Sequence, residues 1–256
     1  MIKVENVETM GWEATIRGMR NPMNSWDKSD SFVCREEGNY DCPKCAHIGR
    51  CPVQNDDSFY AVGKNDLDLM KRLAKGGPVH AKYRRMITVY MDITAPLYWW
   101  KEFDTYKVGT VANSCSTMHK IHAKEFELDD FSHEHLINVT KPNSELINND
   151  CVPFEVDDNL YWTATNILEL TVEALNKYRH RYLETKDKRY WWQMIQLLPT
   201  SYNQRRTVML NYEVLNNIYH SRKDHKLDEW REFCDTIKTL PLSEIIIGEE
   251  QKNDKS

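Results

Sequence analysis

The stretch DITAPLYWWKEFDTYKVGTVANSCSTMHK, residues 92–120, begins like a strand and ends in hydroxyls, amides and one thiol, Cys115. Aromatic bulk, charges of both signs and small polar groups share one short segment. A buried core does not need that mixture, whereas a ligand pocket does. A second set lies further on. Asn211 and Arg222 are eleven residues apart, about three helical turns, so a helix would put them on one face. An amide and a guanidinium amid Leu215 and Ile218 are costly to bury unless a ligand or partner pairs them. The third set is four thiols, Cys34, Cys42, Cys45 and Cys51. A Cys-x2-Cys knuckle with two more thiolates suits one tetrahedral structural zinc, with His47 as a spare ligand. An iron–sulfur cluster also takes four thiolates, and the plain alternative is a loop of reduced cysteines.

The rest of the chain bounds what these residues can serve. Its 256 residues are 41% hydrophobic and 29% charged, with a net charge of −5. That suits a globular protein with a substantial core. No basic block argues for nucleic acid as a bulk partner. No apolar run is long enough for a transmembrane helix, and the N-terminus lacks an apolar signal region. The expected location is the cytoplasm, where a disulfide framework from seven cysteines is not expected. The Asn138–Thr140 glycosylation match carries little weight without secretion.

The elements that must position the three sets follow from periodicity. Residues 1–33 carry turn signals. Residues 34–64 are polar, Cys-rich and punctuated by Gly and Pro, and read as an inserted loop. Leu67, Met70, Leu73 and Ala74 keep helical spacing over 66–75, with an Asp or Asn cap before and a Gly pair after. MITVYMDI, ended by Pro96, reads as a strand. Residues 119–159 are irregular. Long helices are expected from Leu160, over 189–198, over 203–222 and over 227–240, and 248–256 forms a frayed, disordered tail. The fold class is α+β, helix-rich, with a central sheet and the Cys-rich insertion.

The order helix, Gly-Gly-x-x-His, strand, Ala-Pro, aromatic segment, polar loop, and later helix, Leu-Leu-Pro, an Asn- and Arg-bearing helix and a Trp helix, resembles the flavin-dependent thymidylate synthases. The likeness covers 66–120 and 160–240. Counting from Ala95–Pro96, the family's Arg-His-Arg falls on Thr105, Tyr106 and Lys107, so only the last keeps a cation. Its later Ser falls on Cys115, or on Ser116 with a one-residue insertion. An Arg that grips the nucleotide phosphate in the family is Ile195 here, with Gln193 and Gln196 as the nearest polar candidates. His80, Asn211, Asn217 and Arg222 keep family positions.

The resemblance implies a single domain over 1–256 that carries out reductive methylation of dUMP. FAD would be bound, and methylene-tetrahydrofolate and NADPH would be co-substrates. It implies a homotetramer with sites at subunit interfaces and a pyrimidine nucleotide as partner. Arg222 would be the catalytic group that polarises the pyrimidine. His80, Tyr106, Lys107, Asn211 and Asn217 would hold flavin. Glu102, Thr110, Ser116 and Arg222 would contact substrate. Cys115 would line the pocket, since the family uses no cysteine nucleophile.

Plainer readings stand beside these. WWKEFDTYK can be core packing, and Arg222 a cation at a helix C-terminus. The Arg-His-Arg within Tyr178–Tyr182 sits in a helix far from the Ala-Pro strand and reads as a solvated face. The rival functions are the same fold with altered pyrimidine-nucleotide or one-carbon chemistry, and a non-catalytic nucleotide-binding or interaction protein.

Overall fold

A computed structural model describes residues 2–35, 46, 59–136, 154–157 and 160–248, with the backbone alone for 154–157 and 160–162. The chain divides into two compact units. One comprises Thr94–Phe103 and Ser114–Arg206. The other comprises Ile2–Ile93, Asp104–Asn113 and Thr207–Ser256.

A four-stranded sheet has the order β1 (Lys3–Met10), β4 (Thr88–Pro96), β8 (Asn203–Asn211), β5 (Val111–Ser114). Strand β4 shows the expected alternation, with Val89, Met91, Ile93 and Ala95 buried. Strand β1 is an edge, and its KVENVETM sequence is polar and largely exposed, as edges that resist stray pairing are. It is followed by α1 (Trp12–Arg20), which buries Trp12, Ile16 and Met19. Both elements lie within residues 1–33, where the sequence shows turn signals.

Two expectations are corrected. Residues 203–211 are strand β8 and not the start of a helix. The buried positions Gln204, Val208 and Leu210 follow a period of two. Arg206 sits in that phase and hides it. Its guanidinium lies 4.2 Å over the Trp100 ring, and its Nε donates to Gln204 Oε1 at 3.0 Å. Likewise Leu160–Trp162 is a short strand, β7, paired with β6 (Phe154–Asp157). The helix α4 begins after it, at Ala164–Thr185, with Thr163 as its N-cap. Helices α4 and α5 (Lys188–Leu197) bury Leu168, Leu175 and Met194 with Ile121, Phe126 and Phe131.

In the other unit, α2 (Lys64–Lys75) has Gly63 at its N-cap with no side-chain bond. The expected Asp or Asn cap comes from farther away. Asp30 accepts from Asn65 N–H at 2.9 Å and Asp66 N–H at 3.1 Å, which satisfies the open first turn. Asp66 is itself buried and paired with Arg20 at 2.6 Å. Strands β2 (Phe32–Cys34) and β3 (Phe59–Ala61) form an antiparallel ribbon, with Cys34 opposite Phe59. Of the expected zinc ligands Cys34 is half-buried on this ribbon, while Cys42, Cys45, Cys51 and His47 lie outside the described residues. So do Asn138–Thr140 and residues 249–256. Among the described residues no group of three or more His, Cys, Asp or Glu gathers as for a metal, and no helix is long and apolar enough to cross a membrane.

Gly11 caps α1 at φ +95°, where a Cβ would lie 2.3 Å from the Met86 carbonyl oxygen. Gly11→Ala is therefore expected to cost about 2 kcal/mol or more through left-handed strain and overlap with backbone. A melting curve checks this, and a Tm within 1 °C of the parent, using roughly 2–4 °C per kcal/mol, would show that the turn relaxes.

Candidate functional site

Helix α6 (Tyr212–Arg222) organises the residues singled out from the sequence. It is anchored by Tyr212, Leu215 and Ile218, all buried, and packs against α7 (Asp228–Thr239) and α8 (Glu244–Ile247). Asn211 lies at the end of β8 and caps the helix, its Oδ1 accepting from Glu213 N–H at 3.1 Å and Val214 N–H at 3.0 Å. Arg222 is in the last turn. The expectation of one continuous helix through both is thus replaced by one helix with the two residues at its ends. Eleven residues at 1.5 Å each place them about 16 Å apart along the axis. A ligand touching both must be longer than a single pyrimidine ring.

The loop after α3 (Leu97–Phe103) meets both ends of α6. Tyr106 Oη accepts from Arg222 Nε at 3.0 Å. The guanidinium also lies 4.7 Å over the Trp230 ring and 5.8 Å from the Tyr106 ring, and its Nη1 is 3.0 Å from His225 Nε2. Arg222 is a half-buried planar cation at a helix C-terminus with aromatic walls, the geometry of the helix-dipole reading. At the other end Gly109, at φ +81°, passes so close that a Cβ would stand 2.8 Å from Asn211 Nδ2. Thr110 Oγ1 is shielded from water and has no hydrogen-bond partner among the described residues. Lys107 is exposed on the same loop.

Other expected site residues lie elsewhere. Asn217 is on a different face of α6 and lines a cavity of about 460 Å³ with Lys71, Arg84, Glu213, His220 and Glu244. Arg84 and Glu213 face each other there at 3.8 Å. Desolvation, with the charges of Lys223 and Arg84, lowers the His220 pKa. His80 is exposed in the turn before the 3-10 segment Ala81–Met86.

Glu102 and Ser116 belong to the other unit. Glu102 is half-buried in α3, and Ser116 Oγ accepts from His119 N–H at 2.9 Å. Cys115 is exposed, and its backbone is pinned by Arg205 O and Gln204 Nε2 at 2.9 and 2.8 Å. Ile195 packs on that unit's core, so the position offers no anion contact. Within Tyr178–Tyr182, His180 and Arg181 are exposed as expected. Arg179 departs from a solvated face and donates to His122 O at 3.0 Å.

The sequence reading does not reach His225, whose one signal is its place three residues after Arg222, beyond the helix end.

No protein-family model and no curated protein matches the chain. Solved structures do match it. Thymidylate synthase X from Helicobacter pylori, with FAD and dUMP, aligns with a TM-score of 0.57 at 17% identity, over 96% of this chain and 96% of that one. A second Helicobacter pylori flavin-dependent thymidylate synthase structure, complexed with FAD and dUMP, gives 0.55 at 18% identity, over 94% and 96%. The UMP/dUMP methylase PolB from Streptomyces cacaoi, bound with 5-Br dUMP, gives 0.51 at 12% identity, over 95% and 93%. At these identities the likeness is one of fold, and the fold is the one the sequence resemblance implied.

Proposed function

We propose, from a fold shared with the flavin-dependent thymidylate synthases, that this chain is a flavin-dependent enzyme acting on a pyrimidine nucleotide. The reaction best supported is reductive methylation of dUMP with methylene-tetrahydrofolate and NADPH. The observation that carries the reading is Arg222, held flat by Tyr106 and Trp230 at the end of α6. It occupies the position that, by the resemblance, polarises the pyrimidine.

The residues fit the groups this reading requires. Asn211 commits its Oδ1 to the α6 N-terminus, and its Nδ2 lies against Gly109, close enough that a Cβ there would stand 2.8 Å away. That amide suits a flavin acceptor. Thr110 Oγ1, shielded and without a partner among the described residues, is in the state where a bound acceptor contributes most. With Lys107 it suits a phosphate. A bound flavin would supply the hydride. The chain's part is to orient the pyrimidine and to place a fixed positive charge where ring carbonyl oxygen gains electron density. His80 and Asn217 remain assigned to flavin, and Glu102 and Ser116 to substrate, as proposals from spacing. So do the homotetramer and the structural zinc on the four cysteines.

The second reading, a related one-carbon chemistry on another pyrimidine nucleotide, is favoured by the loss of cations at Thr105 and Ile195. Both readings meet one experiment. The protein is denatured, any released flavin is chromatographed, and the native protein is titrated with FAD, dUMP and UMP. FAD binding together with conversion of dUMP is expected. A protein that neither releases flavin nor binds FAD at high micromolar concentration sinks the flavin assignment. Preference for UMP would favour the second reading.

A further inference from the structure

A second cavity, of about 570 Å³, lies between the end of α1 and one face of α2. Arg20, Ser25 and Lys28 line it from one side, and Asn65, Leu69 and Arg72 from the other. The last three stand four and seven residues apart along α2 and so share a helix face. All belong to one unit, and none is a residue of the α6 site. Arg20 is 4% exposed, a charged side chain taken out of water on folding. Its Nε donates to Asp66 Oδ1 at 2.6 Å, and its Nη1 donates to Ser25 O at 3.1 Å and Ser25 Oγ at 3.4 Å. Its Nη2 has no hydrogen-bond partner among the described residues. The donors of that nitrogen are left for whatever enters the cavity that the residue lines. Beside it Lys28 is exposed. Arg72 is held by a surface pair with Asp68, which also lines the cavity, at 3.0 Å. Such an exposed pair contributes little and opens readily. The walls thus hold two ion pairs and one further cation, in a chain whose net charge is −5.

We infer that this cavity is a binding site for a phosphate monoester. The donors fit a phosphate better than a carboxylate. A carboxylate is matched by two parallel N–H groups of one guanidinium. Arg20 offers no such fork, because Nε is given to Asp66 and Nη1 to Ser25. What remains is single donors on separate residues: Arg20 Nη2, the Lys28 ammonium and the Arg72 guanidinium. These suit a tetrahedral group with three terminal oxygens. The cavity has room for more than the phosphate. Leu69, which is buried, gives it an apolar wall, and Asn65 gives it an amide. Both suit the organic body that carries the ester. The site is independent of the reading of α6 and stands or falls without it.

The test follows the Arg20 Nε–H and Asn65 side-chain amide signals in a proton–nitrogen spectrum. Inorganic phosphate, ribose 5-phosphate or acetate is added at constant ionic strength. Calorimetry and melting of the parent, Lys28→Gln and Arg72→Gln are run beside it. Phosphate and ribose 5-phosphate should both move the Arg20 signal, the ester at the lower concentration, and acetate should leave it in place. Lys28→Gln should melt like the parent without ligand, because the side chain is exposed. It should bind ribose 5-phosphate about tenfold more weakly, the loss of one charge-assisted hydrogen bond. Arg72→Gln should behave in the same way. An Arg20 signal that neither phosphate moves, or parental ester affinity in either variant, overturns the site. An equal response to acetate overturns the phosphate assignment. A response to inorganic phosphate that ribose 5-phosphate does not share overturns the ester.

Discussion

Arg222→Ala is expected to weaken dUMP binding about a hundredfold, the loss of roughly 3 kcal/mol from charge-assisted hydrogen bonds in a partly desolvated site. The side chain is not a loose surface cation. Its Nε is tied to Tyr106 Oη at 3.0 Å, and its plane lies over Trp230 at 4.7 Å. It would therefore meet a nucleotide already oriented, with little rotamer entropy left to lose. Arg222→Lys should be nearly as poor, because an ammonium can neither stack as a plane nor donate along two parallel directions. Calorimetric titration gives the affinities, and melting separates loss of binding from loss of fold. The cation–aromatic contacts contribute about 1 kcal/mol, so the alanine variant should remain folded. Parental dUMP affinity in a folded Arg222→Ala protein would remove this residue from the site.

Asp66→Asn should lower the melting temperature by about 10 °C, with 3–5 kcal/mol lost. The carboxylate is fully buried and the Arg20 side chain nearly so. One oxygen takes Arg20 Nε at 2.6 Å. The other takes Ser29 Oγ at 2.7 Å, Ser31 Oγ at 2.6 Å and the Asp30 and Ser31 amides at 3.2 Å. The amide leaves a buried guanidinium without its counter-charge and turns one acceptor into a donor facing donors. Burial by itself raises the Asp66 pKa. Hydrogen bonds from Ser31, Ser29 and Arg20, with the Arg20 charge, outweigh it and hold the pKa below its ordinary value. A depressed folded-state pKa contributes stability that is complete above the unfolded value, about 3.9, and is lost as pH falls through the folded one. The parent's melting temperature should thus fall on acidification below about pH 4 more steeply than the variant's. A drop of less than about 2 °C at pH 7, under 1 kcal/mol, would mean that the pair is dispensable.

Local pattern made much of the fold legible. Helices α2, α4, α5 and α7 follow apolar spacing, and β4 follows strict alternation. Strand β8 is hard to read because Arg206 stands in its inward phase, donating to Gln204 and lying over Trp100, a contact that no window of sequence contains. The cap of α2 was misplaced for the same reason, since Asp30 supplies it across 36 residues. At the site, Arg222 and Tyr106 were reached through spacing shared with a family. What holds them is a bond across 116 residues and the Trp230 ring, 4.7 Å from the guanidinium. Residue type and periodicity encode neither.

The ribbon of β2 and β3 bears on how such a chain can change through time. Its paired strands bring the backbone back beside the place it left, with Cys34 opposite Phe59. Whatever lies between them leaves and re-enters the fold at one place, with Ala46 N–H bonded to Val62 O at 2.8 Å along the way. A segment attached in that way can lengthen, shorten or be exchanged for another without re-threading the core, and the entropy of closing a longer loop rises only with the logarithm of its length. Gains and losses of residues among descendants of this chain should therefore gather between these two strands. They should be rare within α6, where one added residue would turn Arg222 by about 100° relative to Asn211.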